Sequence, residues 1–276
     1  MSTDEITQDS ASKRMVLKNL ESLIRIMGGL PSSRFLEMRG CVCCDNGTDA
    51  AGENDALLDP EYAPRDSEEA GALVRRALDF FAETGRPHVW QMPDGISGAL
   101  TCELERAGVR WEMELTAMVA AVGDDATTPS EDADLPYELE NAGEAREWAD
   151  AVWFGFDSGC PAPQSFVRFA EEMLEAGGIS QFAVRSRLSP DSGSLIAATG
   201  LLVASQGVAG IYYVSTRPDF RRRGLGMSVM KAMMNKSQAA GCDKITLLAT
   251  PSGYPLYRMC GFRACGLVKT GVFWEQ

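Results

Sequence analysis

The sequence predicts an α+β protein, a mixed and mostly antiparallel sheet flanked by helices. Its second half reads strand, helix, helix, three strands, helix, strand, helix, strand, with apolar runs of period 2 and period 3.6 clearly separated. The turns at Ser189–Gly193 and at Gln206-Gly207 divide the three central strands, which are therefore expected to lie antiparallel. At 276 residues, 45% hydrophobic and 24% charged, the chain can bury two domain-sized cores.

In chain order, residues 1–12 read as a loose tail. Lys13–Met27 places Val16, Leu17, Leu20, Leu23, Ile24 and Met27 at the i, i+3/i+4 spacing of an amphipathic helix, which Gly28-Gly29 stops. Phe35–Cys44 is strand-like, and Asp45–Asp66, rich in Asp, Gly, Asn and Ala, reads as a long exposed loop. A capped helix follows over Ser67–Thr84, with Leu73, Ala77, Phe80 and Phe81 on its apolar face. Strand His88–Met92, helix Gly98–Ala107 and alternating strand Val109–Val122 complete the first half. The acidic, small-residue run 123–134 reads as a linker between a domain at 13–122 and one at 135–276.

The second domain opens with strand Leu135–Glu140, helix Ala142–Phe156 with Trp148, Val152 and Trp153 on one face, and helix Gln164–Ala176. Strands Ser180–Arg187 and Ser194–Ser205 lead into a central strand, Ile211–Thr216. A break at Pro218-Asp219 and an Arg/Gly-rich turn then feed a helix from Leu225 to about Ala240, followed by strand Lys244–Thr250.

Composition narrows the function. A net charge of −13 argues against a general nucleic-acid binder and suits an amine-bearing substrate. No apolar run is long enough to cross a membrane, and the polar N-terminus is unlike a signal peptide, so a cytoplasmic location is expected. The eight cysteines lack the spacing of a disulfide framework. Cys41, Cys43 and Cys44 read as small buried thiols at the end of a strand, and no metal is expected. With His88 the only histidine and no Gly-x-Ser-x-Gly elbow, a Ser/His or Cys/His nucleophile is discounted.

What remains is an anion site. A strand that hands over to a helix leaves backbone N–H groups unpaired at the positive end of the helix dipole. Here Gly224 and Gly226 open the approach, and Arg221, Arg222 and Arg223 surround the donors with positive charge, so a phosphate or pyrophosphate is expected. Downstream of KITLLAT (244–250) comes Pro251-Ser-Gly-Tyr-Pro-Leu-Tyr-Arg-Met-Cys-Gly-Phe262. An Arg-x-x-Gly-x-Gly turn after a central strand and a later Leu-Tyr-x-x-x-Gly-Phe, in that order and spacing, resemble the GCN5-related N-acetyltransferase (GNAT) family.

The resemblance covers about Leu135 to Gln276 and implies the acyl-CoA N-acyltransferase fold with acetyl-CoA as co-substrate. It implies that Val214 N–H meets the thioester carbonyl and stabilises the developing oxyanion. Thr216 would pair with pantetheine, and the backbone N–H groups of Arg222, Arg223, Gly224, Leu225, Gly226 and Met227 would hold the pyrophosphate. Tyr257 would protonate the leaving thiolate. The acidic residue that the family often carries four positions before the oxyanion donor is Gly210 here. Tyr212, Ser215, Asp157 or a water chain stand as alternative bases.

The cadence of Leu100–Val109 repeats that of Pro255–Phe262, so the first half looks like a degenerate copy of the same fold, without the anion turn and without a tyrosine matching Tyr257. The expected function is acetyl-CoA-dependent N-acetylation of a primary amine on a small molecule or peptide, by a monomer or homodimer. The alternative is a non-catalytic acyl-CoA-binding sensor or scaffold.

Overall fold

The computed structural model describes residues 9–123, 135–156, 158–189 and 191–273. Most of the expected linker and tail lie outside these residues, as does Asp157. In the first half, Asp9 caps helix α1 (Ser10–Met27) by accepting from Ala11 and Ser12 N–H, so the helix begins three residues before the expected Lys13. Strands β1 (Arg34–Met38), β2 (Cys41–Asp45) and β3 (Asp55–Leu58), helix α2 (Ser67–Ala82), strand β4 (His88–Pro93), helix α3 (Gly98–Arg106) and strand β5 (Arg110–Ala121) follow. The second half supplies β6 (Pro136–Glu138), α4 (Ala142–Gly155), α5 (Gln164–Glu175), β7 (Ile179–Ser186), β8 (Leu195–Ser205) and β9 (Val208–Thr216). It ends with α6 (Leu225–Ala239), β10 (Lys244–Ala249), α7 (Tyr254–Met259) and β11 (Arg263–Phe273).

All eleven strands join one sheet in the order β1-β2-β3-β4-β11-β5-β10-β9-β8-β7-β6. It is the mixed, mostly antiparallel sheet expected from the sequence; among the described residues only β3/β4 and β9/β10 run parallel. Helices α1, α4 and α5 share one core with β8, built around Trp148, Phe166 and Phe169. Helix α6 packs with β8, β9 and β10 through Val229, Met230 and Met233. A third core joins α2 and α3 to β2–β4.

The sheet reads alike from both edges. About the β11/β5 pair, each side has an antiparallel set joined through one parallel pair to the centre. Helices α3 and α7 also end bond for bond alike. The N–H groups of Ala107, Gly108 and Val109 reach the carbonyls of Glu103, Glu105 and Leu104, and those of Cys260, Gly261 and Phe262 reach Leu256, Arg258 and Tyr257. Gly108 and Gly261 turn both helices at φ +98° and +85°, a conformation that a Cβ would strain. Strand β11 does not return to the edge of its own half but lies between β4 and β5.

Two expectations in the first half are corrected. Phe35–Cys44 is not one strand but the β1/β2 hairpin, turned at Gly40 with φ +94°. The segment 45–66 is not an exposed loop: it contains β3, and Asp45, Asn46, Thr48 and Asn54 are all buried. These polar residues satisfy one another. Asn54 Oδ1 accepts from Asn46 N–H at 2.9 Å, and its Nδ2 donates to the carbonyls of Thr48 and Pro87 at 3.0 and 2.8 Å. Asp45 accepts from Thr84 Oγ1 at 2.7 Å and pairs with Arg86. His88 is likewise a structural residue: it is buried, stacked on Phe81, and held uncharged because burial pulls its pKa down to about 4.

Candidate active site

The central strand parts from its neighbour midway. Strand β9 pairs with β10 only at Val208, Ala209 and Gly210; beyond this β10 continues along β5 to Ala249 while β9 continues along β8 to Thr216. The cause is a bulge. Pairing with β8 shifts between Leu201↔Tyr212 and Thr199↔Ser215, and Tyr213 takes φ +51°. Opposite the bulge, Gly200 lets Val229 and Met233 of α6 approach so closely that a Cβ there would come within 2.7 Å of them. Tyr212, Tyr213, Val214 and Thr216 are left half-exposed, with the β10-facing edge free of a ladder partner.

Where β9 ends, the chain builds the anion turn. A 3-10 turn over Pro218–Phe220 leads through Arg222 at φ +65° to Gly224 at φ +81°, the N-cap of α6. Among the described residues no side chain caps this helix, and the first helical bond at its start is Ser228 N–H to Gly224 carbonyl, so the N–H groups of Leu225, Gly226 and Met227 have no partner among them. The two glycines matter differently. Gly224 is required by its backbone conformation, whereas a Cβ on Gly226 would make only ordinary contact with Leu256 and Thr216 at 3.4 and 3.5 Å, leaving its value to whatever approaches from outside.

The three arginines divide. Arg221 donates to the carbonyls of Thr216 and Gly155, strapping the end of α4 to β9. Arg223 donates to the carbonyls of Arg187 and Asp219 and lies over the Phe220 ring. Arg222 is exposed and makes no hydrogen bond or ion pair with any described residue, which leaves its guanidinium available to an anion. The start of α2, which also joins two parallel strands, is the reverse case: Asp66 caps it with its own carboxylate, and Glu68 and Glu69 fill the first turn. That helix end is satisfied and negative, and it repels phosphate.

Helix α7 brings Tyr257 into the same region. Its neighbour Leu256 lies against Gly226, and Cys260 Sγ meets Met227 Sδ at 3.5 Å. Tyr257 is buried in the core that contains Val214, its ring against Phe262, and burial raises its phenol well above the ordinary value. The structure therefore gathers Val214, Thr216, Arg222, Gly224, Leu225, Gly226, Met227 and Tyr257 around the parted strands, and turns Arg221 and Arg223 to bracing the loop.

Of the alternative bases, Tyr212 donates to Asn19 Oδ1 at 2.8 Å, and burial holds its phenol protonated. Ser215 is buried, bonded to Thr199 Oγ1 at 2.9 Å and to the Ala151 carbonyl. Neither faces the opening. Gly210 has a reason of its own: a Cβ there would overlap Asn19 Oδ1, so α1 occupies the place where an acidic side chain would stand. Gly210→Ala is expected to destabilise the protein by about 1–3 kcal/mol. In an Asn19→Ala background the cost should shrink, and equal costs in both backgrounds, read by urea denaturation, would exclude the clash.

The sequence reading missed one group altogether. Tyr213 Oη donates to Glu53, a half-buried residue of the first half that its loop composition gave no reason to single out. The cysteine cluster is buried in β2, with Cys41 and Cys43 Sγ 3.7 Å apart. Among the described residues no three His, Cys, Asp or Glu side chains converge as a metal site, and no helix is long and apolar enough to cross a membrane.

A sheet opened at its central strand, with a helix N-terminus pointed at the gap, defines the acyl-CoA N-acyltransferase fold. The model of the acetyltransferase (GNAT) family matches residues 144–262, the greater part of the second half, which therefore carries a GNAT domain. Among solved structures, it is similar to a GCN5-related N-acetyltransferase from Kribbella flavida, with TM-score 0.67 and 16% identity over 96% of each chain. A GCN5-related N-acetyltransferase from Sphaerobacter thermophilus gives TM-score 0.60 and 14% identity, over 92% of this chain and 84% of that one. A tandem GNAT protein from the clavulanic acid biosynthesis pathway gives TM-score 0.59 and 10% identity, over 97% and 96%. These similarities show the fold and include the first half. No curated protein sequence matches the chain.

Proposed function

We propose that this protein is an acetyl-CoA-dependent N-acetyltransferase that acetylates a primary amine of a small molecule or peptide by direct attack. The observation that carries the reading is the parting of β9 from β10 after Gly210, which ends at the uncapped start of α6. The residues present fit acetyl-CoA. The N–H groups of Leu225, Gly226 and Met227 and the guanidinium of Arg222 suit a pyrophosphate, and the free edge of β9 up to Thr216 suits the amide-bearing pantetheine arm. Val214 N–H stabilises the negative charge that develops on the thioester oxygen, and Tyr257 gives its proton to the departing sulfur.

The first half reads as a second copy of the fold that lost its anion turn. The symmetric strand order and the matching ends of α3 and α7 support this, and the acidic start of α2 explains why only one half takes the cofactor. No metal and no nucleic acid take part in this reading, and a cytoplasmic monomer or homodimer would suffice. Calorimetry tests it: acetyl-CoA binds the wild type, and Gly226→Trp, which fills the space before the α6 N-terminus, lowers affinity at least about 100-fold, or ~2.7 kcal/mol. Thiol release against a panel of primary amines then finds the acceptor.

One observation favours a second reading. Asn19 fills the position of the family's acidic residue, as in a protein that kept its acyl-CoA site but lost turnover. Tight acetyl-CoA binding without thiol release on any amine would support that sensor or scaffold role.

A further inference from the structure

The first half sends a carboxylate to the central strand of the second. Glu53 ends a 3-10 turn (Ala51–Glu53), and its Oε2 accepts the hydrogen bond of Tyr213 Oη, on the bulge of β9 and one residue before Val214. The turn is held firmly. Asn46 Nδ2 donates to the Glu53 carbonyl, and Asn54 ties the adjoining backbone to Thr48 and Pro87. The Tyr213 ring is fixed against Trp148 and Phe166.

The titratable groups around this carboxylate are Tyr213 from β9, Asp55 from β3 and, beyond the phenol, Cys44 from β2; no cation faces it among the described residues. Burial pushes the Glu53 carboxyl up to about 8, with Asp55 adding to the rise and the Tyr213 bond opposing it. Burial likewise raises Asp55 to about 6. Gln91 gives its Nε2 to Asp55 at 2.5 Å, and its own Oε1 is buried without a donor among the described residues. The Glu53 carboxylate is half-buried, so charging it without a cation is costly, yet it stays open enough for an arriving ammonium group to pair with it.

Resting on the acetyltransferase reading above, we propose that Glu53 receives the ammonium group of the acceptor and takes its proton, so that the first half supplies the base missing at Gly210 and the acceptor is a cationic primary amine. One nitrogen proton passes to Glu53. The freed lone pair forms the N–C bond, the C–S bond breaks, and its electron pair leaves on sulfur, which takes the Tyr257 proton. A second nitrogen proton, shed as the amide forms, restores the phenol, and Glu53 returns its proton to water.

The sign of the pH dependence follows: Glu53 must be ionised, so kcat/KM for the amine rises with pH through about 8. Glu53→Gln is expected to lower kcat/KM about 100-fold and erase that limb, with acetyl-CoA affinity by calorimetry unchanged. Tyr213→Phe, which removes the bond holding the carboxyl down, should move the limb to higher pH, a response that a purely structural Glu53 would not give. The proposal is overturned, with the acetyltransferase reading intact, if Glu53→Gln keeps the wild-type profile, if the limb ignores Tyr213→Phe, or if the wild type acetylates only uncharged acceptors. A wild type that neither binds acetyl-CoA nor releases thiol overturns both.

Discussion

Replacing Tyr257 with phenylalanine is expected to lower kcat about 10²–10⁴-fold while acetyl-CoA affinity stays within a few-fold of wild type. The ring keeps its place in this variant. It is buried between Phe262 and the α7 backbone, and Gly253 lies so close that a Cβ there would come within 2.9 Å of the ring. Only the hydroxyl is lost. Because burial raises the phenol above its ordinary range, Tyr257 stays neutral at working pH and keeps the proton that the proposed mechanism passes to the thiolate. Stopped-flow thiol release gives kcat, and calorimetry gives the affinity. A variant with undiminished kcat would remove Tyr257 from the chemistry; a variant with weakened acetyl-CoA binding would make it a packing residue of the α6–α7 junction.

Trp148→Ala should destabilise the fold by about 3–5 kcal/mol, the largest stability effect expected of any single truncation at this site. Trp148 is fully buried, in the core that α4 and α5 share with α1 and β8. Its Nε1 donates to the Phe182 carbonyl at 3.1 Å, and its ring meets Tyr213 edge-on at 5.6 Å. Truncation therefore opens a cavity, removes a buried hydrogen bond and frees the Tyr213 ring that Trp148 meets. Trp148→Phe keeps most of the volume and should cost only about 1–3 kcal/mol, mainly through the lost hydrogen bond. Guanidinium denaturation distinguishes the two, and a Trp148→Ala cost under about 1 kcal/mol would contradict the packing described.

The second half was legible because each local signal agreed with the global fold. Trp148 and Val152 fell at helical spacing, Ser189–Gly193 marked a hairpin, and Gly224 stood where the backbone turns left-handed. What escaped the sequence lies in 45–58. Asp45, Asn46, Thr48 and Asn54 look solvated by composition, yet they are buried because each finds its hydrogen-bond partners in the others and in the backbone, a pairing that no periodicity encodes. Glu53 disappeared with them. The backbone bonds of Arg221 and Arg223 were equally hidden, because a guanidinium that braces a loop and one left exposed have the same letter. That Gly210 is vacant because α1 fills the space depends on a contact across nearly two hundred positions of sequence.

The placement of β11 bears on how the chain is made. While a ribosome is still synthesising the second half, β4 and β5 have already emerged, but the strand that belongs between them is well over a hundred residues downstream. The nascent first half thus carries two unpaired strand edges until β11 is made, each a template for pairing with another chain. The apolar surfaces of β2–β4 can meet α2 and α3 early, yet the ladder that joins the halves closes only when residues 263–273 leave the exit tunnel. The single continuous sheet therefore cannot close before β11 is available, which makes its central ladder a late step of folding.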